Sequence, residues 1–235
     1  MFKVVLLSFL FTFSAFSKTE IKMFTYHPDP PYVVNEKERS GYTFELANFL
    51  NDQLDSNYHF SVVVLPRKRL NQLLLTDNNI VVPWTTPKWF NDISKRKFKW
   101  SKPLLIVNNL LISNVKKPIK SNNVRGLKLA GLRGGKWLEF DHLIESGTLE
   151  KVNVSKYYSI IQMIERGYVD GGIIPSLTVK YYQNAGKVGK EIFIPTTPLS
   201  TNHLQVLIKG EVKLKKFLDK KIIQFKETKT FKLMK

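Results

Sequence analysis

Short β-branched runs alternate with amphipathic helix patterns, and the alternation occurs twice, which restricts the possible folds more than any other feature of this chain. In the first set, Ile21–Tyr26 reads as a strand and is followed by the turn-rich HPDPPY of residues 27–32. Thr43 is placed to cap a helix with Glu45 in its first turn and Leu46, Phe49, Leu50 and Leu54 along one face. A β-branched run at Phe60–Leu65 follows, and Pro66 then opens a helix bearing Leu70, Leu73 and Leu74. Ile80–Val82 is the third strand. The second set repeats the order. Leu127–Gly131 is a strand, Leu132–Gly135 a glycine-rich turn, and Lys136–Glu145 a helix. A short strand at Val152 and a helix capped by Ser155, with Ile160, Ile161 and Ile164 on one face, lead to a strand at Val169–Ile174 that ends at Pro175.

Two long apolar runs, Leu104–Ser113 and Leu204–Ile208, connect the sets, and a lysine-rich tail with Leu214, Phe217, Leu218, Ile222 and Phe225 at helical spacing returns to the first. The pattern predicts an α/β chain of two lobes, each a mainly parallel sheet flanked by helices, joined by two crossing strands. The expected division is residues 18–107 plus 200–235 for lobe one and 108–199 for lobe two. Clefts between such lobes are where small ligands bind and about which hinges close.

Within this frame the stretch VVPWTTPKW (81–89) stands out. Pro83 and Pro87 lack an N–H, so the strand is expected to end at Val82 and a loop to follow. Pro83, Trp84, Thr85, Thr86 and Trp89 then lie beyond a strand end, where an open α/β sheet presents its ligand. The alternative is a surface loop whose indoles only cap a core. Trp84, Trp89, Trp137 and Tyr26 offer stacking faces for a ring or a cation, or core packing, and at least one of the four is expected in the core. Arg133 with Gly134–Gly135, ahead of Lys136, is either a small anion site or a turn that needs glycine. Arg67 sits in a run of cations at a helix start, where charge of that sign opposes the dipole. Asp29, between prolines, is a turn residue or a pocket acceptor.

Residues 1–17 combine Lys3, an apolar stretch from Val4 to Phe13 and a small-x-small pattern at Ala15–Ser17, which predicts a signal peptide cleaved after Ser17. The sequence has no cysteine, so thiolate catalysis, cysteine metal sites, disulfides and a lipid-anchored cleavage cysteine are all excluded. The expectation is a soluble, monomeric periplasmic protein with no stable membrane insertion. The formal charge of +18 comes mostly from lysines spread along the chain, so nucleic acid is not the expected partner. The four histidines are far apart in sequence, and no nucleophile elbow or phosphate loop is present, so no catalytic residue, metal or cofactor is expected.

GYTFELANFL (41–50), PRKRLNQLL (66–74), TPKW (86–89), FKWSKP (98–103), GLRGG (131–135) and ERGYVDGGII (165–174) follow one another in an order that resembles the periplasmic solute-binding proteins of bacterial family 3, the polar amino-acid-binding type. The resemblance covers nearly the whole chain after residue 17. It implies a type II two-lobed binding protein that passes a small solute to the permease of an ABC transporter. It puts pocket positions at Tyr26 and Asp29, at Arg67, in the loop Pro83–Thr86, and at Arg133, Gly134 and Gly135. Two positions depart from the pattern. Trp89 stands where the family's carboxylate-clamping arginine is expected, and Pro175 where its acid for the ligand ammonium is expected. An indole stacks but cannot neutralise a carboxylate. The expected ligand is therefore a small polar or aromatic or anionic solute and not an ordinary α-amino acid, with Trp84 and Trp89 stacking, Arg67 or Arg133 pairing with an anionic or polar group, and Gly135, Lys136, Trp137 and Pro175 as further expected ligand-binding residues. A periplasmic sensor module and a dehydratase-like enzyme on the same scaffold remain as alternatives.

Overall fold

The computed structural model describes residues 18–233; the segment read as a signal peptide lies outside them. The first βαβαβ set is β1 (Thr19–Thr25), α1 (Tyr42–Asn51), β2 (Tyr58–Val64), α2 (Arg67–Thr76) and β3 (Ile80–Thr85). A 3-10 turn at Pro87–Phe90, β4 (Lys99–Trp100) and the long β5 (Leu105–Asn114) lead to the second set. That set is β6 (Lys128–Leu132), α3 (Asp141–Glu145), β7 (Glu150–Val154), α4 (Tyr157–Glu165), β8 (Gly171–Pro175) and α5 (Ser176–Asn184). The chain closes with β9 (Ile192–Phe193), β10 (Ser200–Lys209), α6 (Val212–Glu227) and α7 (Lys229–Leu233).

The strands run in the order β2-β1-β3-β10-β5-β8-β6-β7. β1 is parallel to both β2 and β3, and β6 is parallel to both β7 and β8. Between these halves, β10 is antiparallel to β3 and β5, and β5 is antiparallel to β8. Each half therefore repeats the other with the same strand order, and β5 and β10 are the crossing strands. Their pairing runs from Ser200↔Asn109 to Leu204↔Leu105.

Apolar residues sort to either side of this crossing. Ile21, Phe60, Val81, Trp84 and Leu204 pack with Leu214, Leu218, Ile222 and Phe225 of α6 and with Phe231 of α7, so the lysine-rich tail covers the first sheet. Ile112, Ala130, Ile160, Ile164, Ile174 and Val179 form a core of the second. Two glycines make the second core possible. A methyl group on Gly172 would lie 2.2 Å from Ile160 Cγ2, and one on Gly131 would lie 2.1 Å from the Trp137 ring. The close approach of α4 and of the Trp137 indole to the sheet depends on those missing atoms.

Several local expectations change. β3 does not stop at Val82 but continues to Thr85, because the ladder tolerates Pro83 through a shift in register between Gln205 and Leu207 of β10. Ser101 supplies what Pro83 cannot. The Val206 N–H donates to Ser101 Oγ at 2.9 Å, the Ser101 N–H donates to the Val206 carbonyl at 3.0 Å, and Gln205 Nε2 donates to the Ser101 carbonyl at 2.5 Å. Thr43 is inside α1; Gly41, at φ 119°, occupies the cap, where a side chain would collide with the Tyr32 carbonyl at 2.8 Å. Lys156, not Ser155, precedes α4. α1 ends at Asn51, which leaves Leu54 fully exposed. The helix expected from Lys136 is reduced to Asp141–Glu145. α5 has no counterpart in the sequence pattern, since its Thr178, Val179, Tyr181 and Tyr182 favour extended chain and only packing makes them helical.

Trp84 shows how sequence and packing combine. Its φ of 60° turns the indole inward, its exposure is 0%, and its Nε1 donates to Thr43 Oγ1 at 3.0 Å. Replacing Thr43 with Val would leave that N–H buried without an acceptor, so urea unfolding of T43V is expected to show a loss of about 1–3 kcal/mol. Thr43→Ser, which keeps the hydroxyl, is expected to lose less.

Candidate ligand-binding cleft

The carboxyl ends of the parallel strands in the two halves face one another, and the segments that follow them meet. β1 leads into Tyr26–Tyr32. The Asp29 carbonyl accepts the N–H groups of Tyr32 and Val33 at 3.1 and 3.3 Å, and the Pro30–Pro31 peptide is cis. This turn brings Tyr26, His27, Asp29 and Tyr32 to the end of the sheet. Tyr26 shares a 3.0 Å hydrogen bond between its hydroxyl and Thr85 Oγ1, which ties the end of β1 to that of β3. The rings form a continuous cluster: His27 lies 4.2 Å from Tyr26, 5.1 Å from Tyr32 and 6.1 Å from Trp89 between centroids.

Asp29 makes the contact between the halves. The residue is 3% exposed, and its carboxylate accepts the backbone N–H of Tyr157, the first residue of α4, at 3.1 Å. The N-terminal end of a helix favours an anion, and this one meets a carboxylate of the same chain. A second bridge runs from Lys136 Nζ to Asn91 Oδ1 at 3.2 Å, and Leu177 of α5 packs against the first core.

Burial governs the protonation of this cluster. It pushes the His27 imidazole down to about 4, assisted by Arg67 and opposed by the bond to the Trp84 carbonyl. The imidazole is therefore neutral near pH 7, and with Nε2 protonated it donates to that carbonyl at 3.0 Å. Burial also raises the Asp29 carboxyl, against the Tyr157 N–H and Lys156. The Tyr26, Tyr32, Tyr157 and Tyr182 hydroxyls are raised, by burial first, and Asp29 adds to the rise at Tyr157 and Tyr182. The cluster thus consists of protonated phenols, a neutral imidazole and one carboxylate.

The expected site residues divide into those this geometry gathers and those it does not. Tyr26, Asp29, Thr85 and Trp89 belong to the cluster or border it, and Lys136 bridges the halves from the rim. Thr86 is buried, and its carbonyl accepts the Trp89 N–H at 3.1 Å. Pro83 is buried within β3, and Pro175 is half-buried at the start of α5. Trp84 is a core residue and offers no face to a ligand. Trp137 is one too: it packs with Leu129, Phe140 and Leu149, with Lys151 Nζ 4.7 Å over its ring.

Arg67 is engaged within its own lobe. Its guanidinium lies 3.8 Å over Phe90 and 4.9 Å from the Tyr26 ring, Nη2 donates to the Trp89 carbonyl at 2.5 Å, and Nε donates to Asn71 at 2.9 Å. It fixes the 3-10 turn that presents Trp89, which answers why a cation stands at that helix start. The anion-site reading of the glycine loop does not hold either. The N–H groups of Arg133 and Gly135 donate to Val154 and Leu132 carbonyls, Lys151 binds the Gly135 carbonyl, and no helix starts between the end of β6 and Asp141. The Arg133 side chain is exposed.

His27, Tyr32, Tyr157, Leu177 and Tyr182 were missed. Their signal was present in the aromatic residues flanking HPDPPY and in the paired tyrosines at 157–158 and 181–182, but it carries no spacing that separates a site from a core. Among the described residues, no three His, Asp or Glu side chains converge to hold a metal ion.

Two outcomes follow from this geometry. His27 has a folded pKa of about 4 against an ordinary 6.5, so the stability it confers is fully present above pH 6.5 and is lost as pH falls to about 4. The loss is of order 3 kcal/mol at the acid end, and H27Q is expected to flatten the curve of unfolding free energy against pH across this window. Asp29, shifted upward, acts in the opposite sense and stays constant in the comparison. Separately, Asp29→Ala removes the carboxylate that meets α4, and small-angle scattering is expected to show a larger radius of gyration than for the parent.

No family model matches the sequence, and no curated protein matches it. Solved structures match over nearly the full length. The chain aligns over 92% of its length with 93% of a structure described under glutathione import via GshT and the cystine ABC importer TcyBC of Streptococcus mutans, at 16% identity and a TM-score of 0.74. The GluR0 ligand-binding core from Nostoc punctiforme, in complex with L-glutamate, aligns with 91% of this chain and 96% of its own at 14% identity and a TM-score of 0.71. The P235GK mutant of ArgBP from T. maritima aligns with 92% and 93% at 15% identity and a TM-score of 0.70. At these identities the likeness is one of fold: two α/β lobes joined by crossing strands, the architecture of type II periplasmic binding proteins.

Proposed function

We propose that this chain is a periplasmic solute-binding protein that closes its lobes over a small solute and presents it to the permease of an ABC transporter. The observation that carries the reading is the Asp29–Tyr157 contact, in which a carboxylate after β1 meets the start of α4 across the two halves. That contact belongs to a closed arrangement, and the carboxyl strand ends on both sides of it are where an α/β sheet receives a ligand. The fold shared with structures described as arginine-, glutamate- and histidine-bound supports the same reading. In it, lobe one is residues 18–107 with 200–235 and lobe two is 108–199, a division supported by the way the apolar clusters separate. Residues 1–17 direct export and are removed, and the mature protein acts as a monomer without a cofactor.

The ligand in this reading is a small polar or ring-bearing solute other than an ordinary α-amino acid. Trp89 replaces the clamping arginine, Pro175 replaces the acid, and Arg67 is spent on the Trp89 turn. Recognition falls to the phenol hydroxyls, the Trp89 face and Asp29, a set that suits hydrogen-bonding groups and rings better than a free carboxylate. The reading is one of binding and not of turnover, supported by the engagement of His27 Nε2 with the Trp84 carbonyl and by neighbours of the same fold that are described as binding proteins.

Mass spectrometry of protein isolated from its native periplasm is expected to release a stoichiometric small molecule that is not a free amino acid, unchanged after prolonged incubation. Calorimetry against the common amino acids is expected to give no binding tighter than millimolar. Micromolar affinity for one of them would overturn the ligand assignment, and conversion of the released molecule would overturn the binding assignment.

A further inference from the structure

A second feature lies at the other end of lobe one. β3 runs from Ile80 to Thr85, and Lys209 of β10 pairs with Ile80, so Asn79, Lys209 and Gly210 stand one strand length from the cleft, about 17 Å. Here the loop 95–99 and the end of β10 enclose an open groove of about 610 Å³. Its lining includes Lys95, Arg96, Lys97, Lys99 and Lys209 against the single carboxylate of Glu211.

The groove is built, and its cations are not a loose fringe. Asp92, 2% exposed, holds the loop from beneath. Its carboxylate accepts the N–H groups of Arg96 at 2.8 Å, Lys97 at 2.9 Å and Phe98 at 3.1 Å, and the Trp100 indole N–H at 2.8 Å. Burial works against this carboxylate's charge, but the four donors outweigh it and keep its pKa below the usual range. Lys99 and Lys209 anchor the floor by donating to the Gly210 and Leu74 carbonyls at 2.8 and 2.9 Å. Lys95, Arg96 and Lys97 remain exposed, and among the described residues no ion pair is recorded for them. Like charges held this close repel one another, so a polyvalent anion that enters gains from all of them at once. The volume is that of a small-ligand site.

We propose that this groove is a second binding site, independent of the cleft, for a polyvalent phosphate-bearing anion, with Arg96 as the forked donor and Lys95, Lys97, Lys99 and Lys209 as the surrounding charge. The shared chemistry is the clustered phosphate oxygen, which either a free oligophosphate or an anionic lipid headgroup supplies.

The test uses tripolyphosphate in calorimetry, and sedimentation with phosphatidylglycerol or phosphatidylcholine vesicles, at low and at physiological salt. Three proteins are compared: the parent, a K95S/R96S/K97S variant, and a K116S/K117S/K120S variant that loses equal charge from exposed positions of lobe two. The expected result is binding by the parent and by the lobe-two variant, weakened tenfold or more in the groove variant. Binding of tripolyphosphate identifies a free anion as sufficient, and binding of phosphatidylglycerol vesicles alone identifies the lipid source. Equal loss in both variants, equal binding by all three proteins, or binding of neither probe would overturn the proposal. Circular dichroism of each variant reads folding separately, and ligand release from the cleft is unaffected by any of these outcomes.

Discussion

Everything in this molecule hangs on two strands that each serve ladders in both halves. β10 gives its last residues to β3 and its first to β5, while β5 gives its first residues to β10 and its last to β8. Among the described residues, no other strand pairing joins the two parallel sets. Backbone hydrogen bonds that must be satisfied in both lobes at once keep the crossing in register. The side chains on either side are then free to form separate cores. The residues that meet across the two lobes include Asp29 with Tyr157, Lys136 with Asn91, and Leu177 with the first core.

The architecture was legible because its causes are local. Periodicities of two and of three to four residues, punctuated by Gly and Pro, placed the strands and most helices within a few residues of where they lie. The failures have tertiary causes. Pro83 forbids one ladder bond, and nothing nearby in sequence announces that Ser101 will accept and donate in its stead. The residues of α5 prefer extended chain, and the sheet beneath them decides otherwise. Gly131 gives no hint on its own that an indole six residues later will lie against it.

The cleft was harder to read than the fold. Tryptophans are rare and large, yet Trp84 and Trp137 are interior residues, and Trp89 alone of the expected three stands near the meeting point of the lobes. The groups that do converge there are tyrosines and a histidine, residues ordinary enough in sequence to pass as packing. Arg67 illustrates the same limit. A cation at a helix start is locally unfavourable, which correctly marks it as having a purpose, but the purpose is to hold a turn through stacking and a carbonyl bond. Sequence can show that a residue is out of place without showing what it is in place for.

The position of β10 has a further consequence for how the chain acquires its shape. β1, β2 and β3 are separated from β10 by the whole second half of the fold, so β3 has an unpaired edge until β10 joins it, and α6 and α7, which follow β10, cover the same core. The strands β6, β7 and β8, by contrast, are contiguous and have β5 already beside them. The strands of the second half therefore lie close together in sequence, whereas the first half is complete only once β10, α6 and α7 have joined it. Until then its exposed strand edge depends on being shielded from other chains.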